Sequence, residues 1–178
     1  MKGHCILSHG FESGPDATKV TALAEVAQCL GYSHERPDYT DLDSKREVTP
    51  LGDVQARIAR LLALAETAAR RGPVVLAGSS LGAYISGFVS LQVPVIGLYF
   101  MAPPVIMTGA PPMPAASVPT SVIHGWHDEL IPAAQVVEWA GARDAQLLLV
   151  NDGHRLTDHV QASADAFAAL LARVDNEL

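Results

Sequence analysis

The sequence predicts an α/β fold, in which helices cover both faces of a parallel β-sheet, and three observations support this. Short apolar runs alternate with longer amphipathic segments along the whole chain. The interior runs, such as VVLA at 74–77, are apolar at consecutive positions, which is typical of strands buried on both faces. No linker or change in composition divides the chain, so we expect residues 1–178 to form one domain.

The first elements follow a strand, helix, strand pattern. Residues 4–9, HCILSH, are short, apolar and prone to β-structure, and a glycine ends the run. Residues 16–30 place apolar side chains at helical spacing, between a proline and a glycine that suit the two ends of a helix. Residues 32–39 predict a more polar strand at a sheet edge, and residues 41–50 predict a charged loop.

The middle of the chain repeats this alternation. Residues 51–71 predict a long helix with one apolar face, and Arg57 is expected to lie away from that face. A Gly-Pro pair ends the helix, and residues 74–77 predict a buried strand. Residues 81–91 have the spacing of a helix, and residues 94–101 predict another apolar strand.

The remainder begins with a proline-rich stretch at 102–119, which predicts a loop rather than a helix. Residues 121–125 then predict a strand and residues 132–140 a short helix. A strand at 146–150 and an amphipathic helix at 158–174 complete the chain. Six strands therefore alternate with helices.

Composition narrows the possible partners. The formal net charge is −7 and no run of Lys or Arg occurs, which argues against nucleic acid or an anionic membrane surface as a partner. The apolar segment after Met1 is too short for a signal peptide, so we expect a cytoplasmic protein. Cys5 and Cys29 are interpreted as small apolar residues rather than as a disulfide or a metal site.

The stretch GSSLG at 78–82 is the strongest candidate for chemistry. It matches G-x-S-x-G and lies between a predicted strand and a predicted helix, where this motif exposes its serine on a sharp turn. The small residues Gly78 and Gly82 allow close packing of the turn. We therefore predict Ser80 as a nucleophile. The alternative is that Ser80 only caps the helix and has no chemical role. Ser79 is the neighbouring candidate for the nucleophile.

Two residues after later strands are candidate partners for Ser80. A serine needs a base to take its proton, and His154 in NDGHRL follows the strand at 146–150. Asp128 in HGWHDELIP follows the strand at 121–125 and could hold the imidazole in the required tautomer. Asp152 competes with Asp128, although it could simply cap a turn.

Main-chain amides are expected to complete the site as an oxyanion hole. One donor is the N–H of Leu81, and the loop HGFESGP supplies the other at Phe11. We expect His9 to pack or hydrogen-bond beneath this loop. Glu12 is expected to face solvent or to contact a cationic or hydroxyl-bearing substrate group.

Four residues are candidates for contact with the substrate. They are Phe11, Tyr84, Trp126 and Met107, which either line an acyl pocket or pack in the core and at the rim.

Other chemistries have weaker support. The histidines of the second half of the chain lack the helical spacing of a zinc site, so no metal is predicted. Residues 78–82 lack the Lys-Ser/Thr of a P-loop and the third glycine of a dinucleotide fingerprint, so no cofactor is predicted either.

Four ordered motifs together resemble the α/β-hydrolase superfamily, specifically its small, lidless bacterial serine esterases. They are SHGFESGP at 8–15, GSSLGA at 78–83, HGWHDELIP at 124–132 and DGH at 152–154. The resemblance implies a minimal six-stranded parallel sheet in the order 2-1-3-4-5-6, without the two leading antiparallel strands of larger members and without a lid domain. It also implies nucleophile, acid and base roles for Ser80, Asp128 and His154, with oxyanion donors at Phe11 and Leu81.

The function expected from these residues is that of a serine hydrolase acting on small carboxylic esters or thioesters through an acyl-enzyme. A small acyl ester would then be the partner of the site, whereas the sequence predicts no oligomeric state. The alternative is a binding or interaction protein that kept the fold without turnover.

Overall fold

The computed structural model describes all 178 residues and contains a six-stranded sheet in which every neighbouring pair is parallel. In chain order the strands are β1 His4–Ser8, β2 Ser33–Glu35, β3 Val74–Ser79, β4 Gly97–Met101, β5 Thr120–Gly125 and β6 Gln146–Val150. Their spatial order is β2-β1-β3-β4-β5-β6, which confirms the order expected from the sequence. Because all strands run in the same direction, their carboxyl ends meet at one edge of the sheet.

Helices cover both faces of this sheet, as the consecutive apolar runs predict. They are α1 Thr18–Cys29, α2 Thr40–Asp43, α3 Val54–Ala69, α4 Leu81–Ser90, α5 Ala133–Ala142 and α6 Val160–Asn176. One apolar core, which includes Ile6 and Leu76, packs against α3, α4 and α5. The other core, which includes Leu7 and Ala77, packs against α1 and α6. Successive residues of one strand therefore face opposite helical layers.

Two features differ from the sequence-based expectation. The predicted loop at 41–50 overlaps the short helix α2, which begins where Asp38 Oδ1 accepts hydrogen bonds from the N–H and the hydroxyl of Thr40 at 2.9 and 2.7 Å. Arg57, expected away from the buried face of its helix, is fully buried in α3. That expectation was wrong because Asp43 pairs with the guanidinium of Arg57 inside the fold.

The proline-rich segment 102–119 joins β4 to β5 as a loop without a helix, so no lid domain covers the carboxyl edge of the sheet. Val105 and Met113 anchor the loop because both are buried in the core. The Met113 carbonyl also accepts a hydrogen bond from Trp139 Nε1 at 2.8 Å.

None of the helices has the length and apolar character that crossing a membrane requires.

Candidate active site

Ser80 lies on a sharp turn between β3 and α4. Its φ of 51° and ψ of −114° are a backbone conformation that residues other than glycine rarely adopt. The turn is closely packed, because a Cβ at Gly78 would overlap the backbone of Gly82 and one at Gly82 would overlap the Ser8 carbonyl. The Ser80 N–H donates to the Met101 carbonyl at 2.8 Å. These constraints fix Ser80 at the carboxyl edge of the sheet.

His154 lies in the loop after β6 and reaches Ser80. Its Nε2 is 3.0 Å from Ser80 Oγ, across 74 positions of sequence. Backbone contacts hold the loop in place: the His154 N–H donates to Glu129 Oε2 at 3.3 Å, and the Gly153 N–H donates to Asp152 Oδ1 at 2.8 Å. The imidazole is therefore positioned to accept the proton of the serine hydroxyl.

Asp128 lies directly after β5 and contacts the other ring nitrogen of His154. Its Oδ2 is 2.7 Å from His154 Nδ1, and its Oδ1 accepts the N–H groups of Leu130 and Ile131 at 2.8 and 2.7 Å. Burial acts to raise the pKa of Asp128, but these three hydrogen bonds outweigh burial and hold the pKa below its ordinary value. An ionised carboxylate here favours the His154 tautomer with its proton on Nδ1.

Asp152, the competing acid, contacts a different histidine. Its Oδ2 is 3.0 Å from His159 Nδ1 and accepts the Asp158 N–H at 2.9 Å. The structure therefore brings Asp128, and not Asp152, to the ring of His154. Asp152 instead shapes the loop in which His154 lies.

His124 is a second histidine beside Asp128, a contact that no sequence pattern predicts. It is fully buried, and its Nε2 lies 2.9 Å from the Ile131 carbonyl and 3.3 Å from Asp128 Oδ2. Its Nδ1 has no hydrogen-bond partner. Burial lowers the pKa of His124, so the ring stays neutral and donates from Nε2.

No group of three or more His, Cys, Asp or Glu side chains is arranged to hold a metal ion.

Two backbone amides near Ser80 are free to bind an anion. The Phe11 N–H has no hydrogen-bond partner in the protein. Leu81 is the first residue of α4, where an N–H has no acceptor within its own helix. The loop of Phe11 passes close to the serine, since a Cβ at Gly10 would lie 3.7 Å from Ser80 Cβ. The two amides predicted as oxyanion donors are therefore available beside Ser80, one on the loop of Phe11 and one at the start of α4.

A buried ion pair holds the Phe11 loop from beneath. Arg57 donates to Asp43 from Nε at 2.7 Å and from Nη2 at 2.6 Å. Arg57 also donates to the carbonyls of His9 and Gly10 at 2.9 and 3.2 Å. Asp43 in turn accepts the Glu12 N–H at 3.2 Å. The pair therefore binds the backbone on both sides of Phe11, a role that the sequence-based interpretation of Arg57 missed.

His9 lies in the same layer, beneath the loop, as expected. It is buried, and its Nδ1 lies 2.7 Å from the Gly10 carbonyl while its Nε2 accepts the Tyr39 N–H at 2.9 Å. Burial is the main cause that lowers the pKa of His9. Glu12 has a φ of 58°, and its exposed carboxylate forms an ion pair with Arg46.

A cleft of about 1100 Å³ opens over Ser80 and His154. Two of the four candidates for substrate contact, Phe11 and Met107, line it. The other two candidates lie elsewhere. Tyr84 is buried and packs against the ring of Phe88, with centroids 4.9 Å apart, because its position in α4 faces the core. Trp126 is 56% exposed and outside the cleft. Ile106, Leu130 and Leu51 contribute apolar lining that the sequence did not indicate.

Solved structures with low sequence identity share this fold. Est1E from Butyrivibrio proteoclasticus, also solved with ferulic acid bound, is 16% identical with a TM-score of 0.77, and the match covers 97% of this chain and 88% of Est1E. A serine hydrolase without a lid from Xanthomonas campestris is 19% identical with a TM-score of 0.72, covering 95% of this chain and 81% of that one. At these identities the likeness concerns the fold alone.

A more similar structure extends the likeness to the family. Neither a protein-family model nor a curated protein matches the sequence. A crystal structure of a protein from Xanthomonas campestris pv. campestris, assigned to the alpha/beta hydrolase superfamily, is 64% identical with a TM-score of 0.95. The match covers 96% of this chain and 99% of that one. With the fold, the turn at Ser80 and this identity in agreement, the chain belongs to the alpha/beta hydrolase superfamily.

Proposed function

We propose that this protein is a serine hydrolase that cleaves small carboxylic esters or thioesters through an acyl-enzyme. One observation carries the proposal: Ser80 Oγ, His154 and Asp128 form a continuous chain of hydrogen bonds, with distances of 3.0 and 2.7 Å. The chain starts at a strained turn and ends at a buried carboxylate, which is the arrangement that makes a serine hydroxyl nucleophilic.

Acylation begins when Ser80 Oγ attacks the carbonyl carbon of the substrate. The hydroxyl proton passes to His154 Nε2, and Asp128 stabilises the imidazolium through its hydrogen bond to Nδ1. The same proton then passes from Nε2 to the oxygen or sulfur of the leaving group as its bond to the carbonyl carbon breaks. Asp128 remains ionised throughout, which agrees with the lowered pKa of this carboxyl.

The N–H groups of Phe11 and Leu81 stabilise the negative oxygen of the tetrahedral intermediate. Removal of one such donor typically costs about 3 kcal/mol of transition-state stabilisation. Phe11 can act in this way only if its loop keeps its conformation, and the Arg57–Asp43 pair supplies that constraint. Arg57 is thus a positioning residue rather than a group that touches substrate.

Deacylation repeats the sequence with water as the nucleophile. His154 takes a proton from the water, the hydroxide attacks the acyl carbon, and the proton returns to Ser80 Oγ as the acid product leaves. The cleft over Ser80 has no lid, and Phe11 and Met107 give it an apolar wall. The open, lidless cleft favours small, soluble acyl substrates over long-chain lipids.

Labelling with a fluorophosphonate tests the proposal directly. The wild-type protein should gain one adduct by intact-protein mass spectrometry, and Ser80→Ala should gain none because the reacting oxygen is gone. Ser79→Ala is the matched control, and we expect it to be labelled, since Ser79 Oγ has no place in the hydrogen-bond chain. No adduct on either protein would favour the non-catalytic binding protein, whereas an adduct on Ser80→Ala would assign the nucleophile to another residue.

A further inference from the structure

The charged side chains that line the cleft are unequally paired. Four line it: Glu12, Lys19, Glu129 and Arg155. Of the acids, Glu12 pairs with Arg46, whereas Glu129 accepts only the backbone N–H of His154. Glu129, Lys19 and Arg155 have no oppositely charged side chain within ion-pair distance. The charges of the cleft without an ion-pair partner are therefore two positive and one negative, in a chain whose formal net charge is −7.

The two cations lie next to each other and to the proposed base. Lys19, in the first turn of α1, donates from Nζ to the carbonyl of Arg155 at 2.9 Å, and Arg155 directly follows His154 in the chain. Burial, followed by the charge of Arg155, lowers the pKa of Lys19. The two like charges repel each other, and an anion bound to both would offset that repulsion.

Nearby acids act on the two cations only from a distance. Asp128 and Asp152 partly offset the charge of Lys19 through space, but neither lies within ion-pair distance of Lys19 or Arg155. The first turn of α1 contains no acidic residue, so the helix terminus adds a partial positive charge. Both cations are therefore free to form an ion pair with a ligand.

We propose that Lys19 and Arg155 form a subsite for an anionic group, a carboxylate or a phosphate, carried by the alcohol or thiol portion of the substrate. The assignment to this portion follows from the chemistry of the site, and it rests on the proposed serine hydrolase function. His154 Nε2 delivers the proton to the leaving atom, so the leaving group lies on the His154 side of the cleft. Arg155 and the ammonium of Lys19 lie on that same side.

A pair of acetate esters that differ in the charge of the leaving group tests the subsite. The esters are 4-acetoxybenzoate and 4-acetoxybenzamide, which form the same acetyl-enzyme, so the ratio of their kcat/KM values reports acylation alone. Each rate is divided by the rate of hydrolysis in buffer, which corrects for leaving-group reactivity. We expect the wild type to favour the anionic ester about fivefold to tenfold at low salt, and the preference should shrink as salt rises.

Substitutions assign that preference to the two residues. In Lys19→Gln/Arg155→Gln the ratio should fall to near unity, while Lys19→Arg keeps the charge and should keep the ratio. The ratio cancels any effect that the substitutions have on His154, since both esters use the same base. Lys45→Gln is the matched control, because Lys45 is exposed, lacks an ion pair and lies outside the cleft.

Each result has a distinct meaning. Hydrolysis of both esters at equal kcat/KM by the wild type overturns the subsite and leaves the serine hydrolase intact. A preference that persists in Lys19→Gln/Arg155→Gln overturns the assignment to these residues. Hydrolysis of neither ester overturns the proposed function, and the subsite with it.

Discussion

The molecule contains two hydrogen-bonded sets of serine, histidine and carboxylate: the Ser80 set, which is Ser80, His154 and Asp128, and the Ser33 set, which is Ser33, His4 and Glu35. In the Ser33 set, His4 Nδ1 lies 2.7 Å from Ser33 Oγ and His4 Nε2 lies 2.6 Å from Glu35 Oε2. The corresponding distances in the Ser80 set are 3.0 and 2.7 Å. Judged by these distances alone, the two sets are alike.

The two sets lie at opposite edges of the sheet. His4 and Ser33 are the first residues of β1 and β2 and are paired in register, whereas Ser80 follows the last residue of β3. The Ser33 hydroxyl also lies 3.2 Å from the Gly3 carbonyl, which is a second acceptor for its proton.

The backbone around the two serines differs as well. Ser80 has a positive φ and precedes α4, whose first N–H is free, while Ser33 lies in an extended strand. The Ser80 set faces the large cleft, and the Ser33 set is absent from its lining. Three side chains in contact therefore do not by themselves make an active site. The strained turn, the free amides and the cleft distinguish the set that we propose to be catalytic.

Replacing the two serines gives the largest expected contrast. Ser80→Ala should lower kcat for a small aryl ester by about a million-fold, because no other group can form the acyl-enzyme. Ser33→Ala should leave kcat unchanged. Steady-state rates of p-nitrophenyl acetate hydrolysis measure both. Equal losses in the two variants, or a loss confined to Ser33→Ala, would contradict the distinction between the sets.

Replacing the two carboxylates should give the next largest difference. Asp128→Asn should lower kcat by about ten-thousand-fold, because an amide in that position stabilises the wrong tautomer of His154. Glu35→Gln should leave kcat as in the wild type, since Glu35 contacts only His4 and lies outside the cleft. The same hydrolysis assay measures both variants. If Asp128→Asn retains full activity, Asp128 does not orient the base.

Substitution of the Arg57–Asp43 pair tests the support of the Phe11 loop, a part of the site that the Ser33 set lacks. Arg57→Met leaves Asp43 buried without a partner, which should lower the free energy of unfolding by about 3–5 kcal/mol. It should also lower kcat by about a hundredfold as the Phe11 amide loses its position, with a smaller change in KM. Urea unfolding and steady-state kinetics measure the two effects.

Two further variants separate positioning from stability. Arg57→Met/Asp43→Leu should recover stability without recovering kcat, because the carbonyl of Gly10 and the N–H of Glu12 still lack their partners. Arg60→Met, on the same helix, removes a surface pair with Asp41 and should cost no more than about 1 kcal/mol of stability. Full recovery of kcat in the double variant would show that Arg57 acts through stability alone.

Substitution of His124 gives the smallest expected effect, which is a change in how the free energy of unfolding depends on pH. Burial holds the pKa of His124 below its ordinary value of 6.5, so the unfolded chain binds a proton at mildly acidic pH before the folded protein does. The free energy of unfolding should therefore fall as pH decreases through the range below about 6.5, by up to about 1.4 kcal/mol per pH unit for this group. His124→Gln keeps an N–H donor for the Ile131 carbonyl and should reduce the slope. Urea unfolding at several pH values measures the free energy of unfolding as a function of pH. The same pH dependence in both proteins would contradict this prediction.

The sequence predicts the sheet and the strand ends well for a physical reason. Strands buried on both faces require consecutive apolar residues, and such runs are visible locally at 74–77 and 121–125. Ser80 and Asp128 follow such strands within a few residues, and His154 follows the apolar but partly exposed edge strand β6. A parallel sheet brings the ends of all three strands to one edge. The candidate site could therefore be assembled from local patterns.

What the sequence did not predict depends on contacts between distant elements. Arg57 was interpreted as a polar position of an amphipathic helix, because its partner Asp43 lies on another helix and no local pattern links the two. The position of Tyr84 depends on which side of α4 packs against the core. The Ser33 set joins His4 to a carboxylate 31 positions away, which only the register of β1 and β2 reveals.

The most direct test of the central claim, that Ser80 and not another serine forms the acyl-enzyme, is to map a slowly released acyl group. The protein is treated with p-nitrophenyl dimethylcarbamate, released p-nitrophenolate is counted, and the modified residue is located by peptide mass spectrometry. We predict one p-nitrophenolate per chain in the initial burst and a carbamoyl group on Ser80. A carbamoyl group on Ser33 or any other residue, or no release above the rate in buffer, would contradict the account.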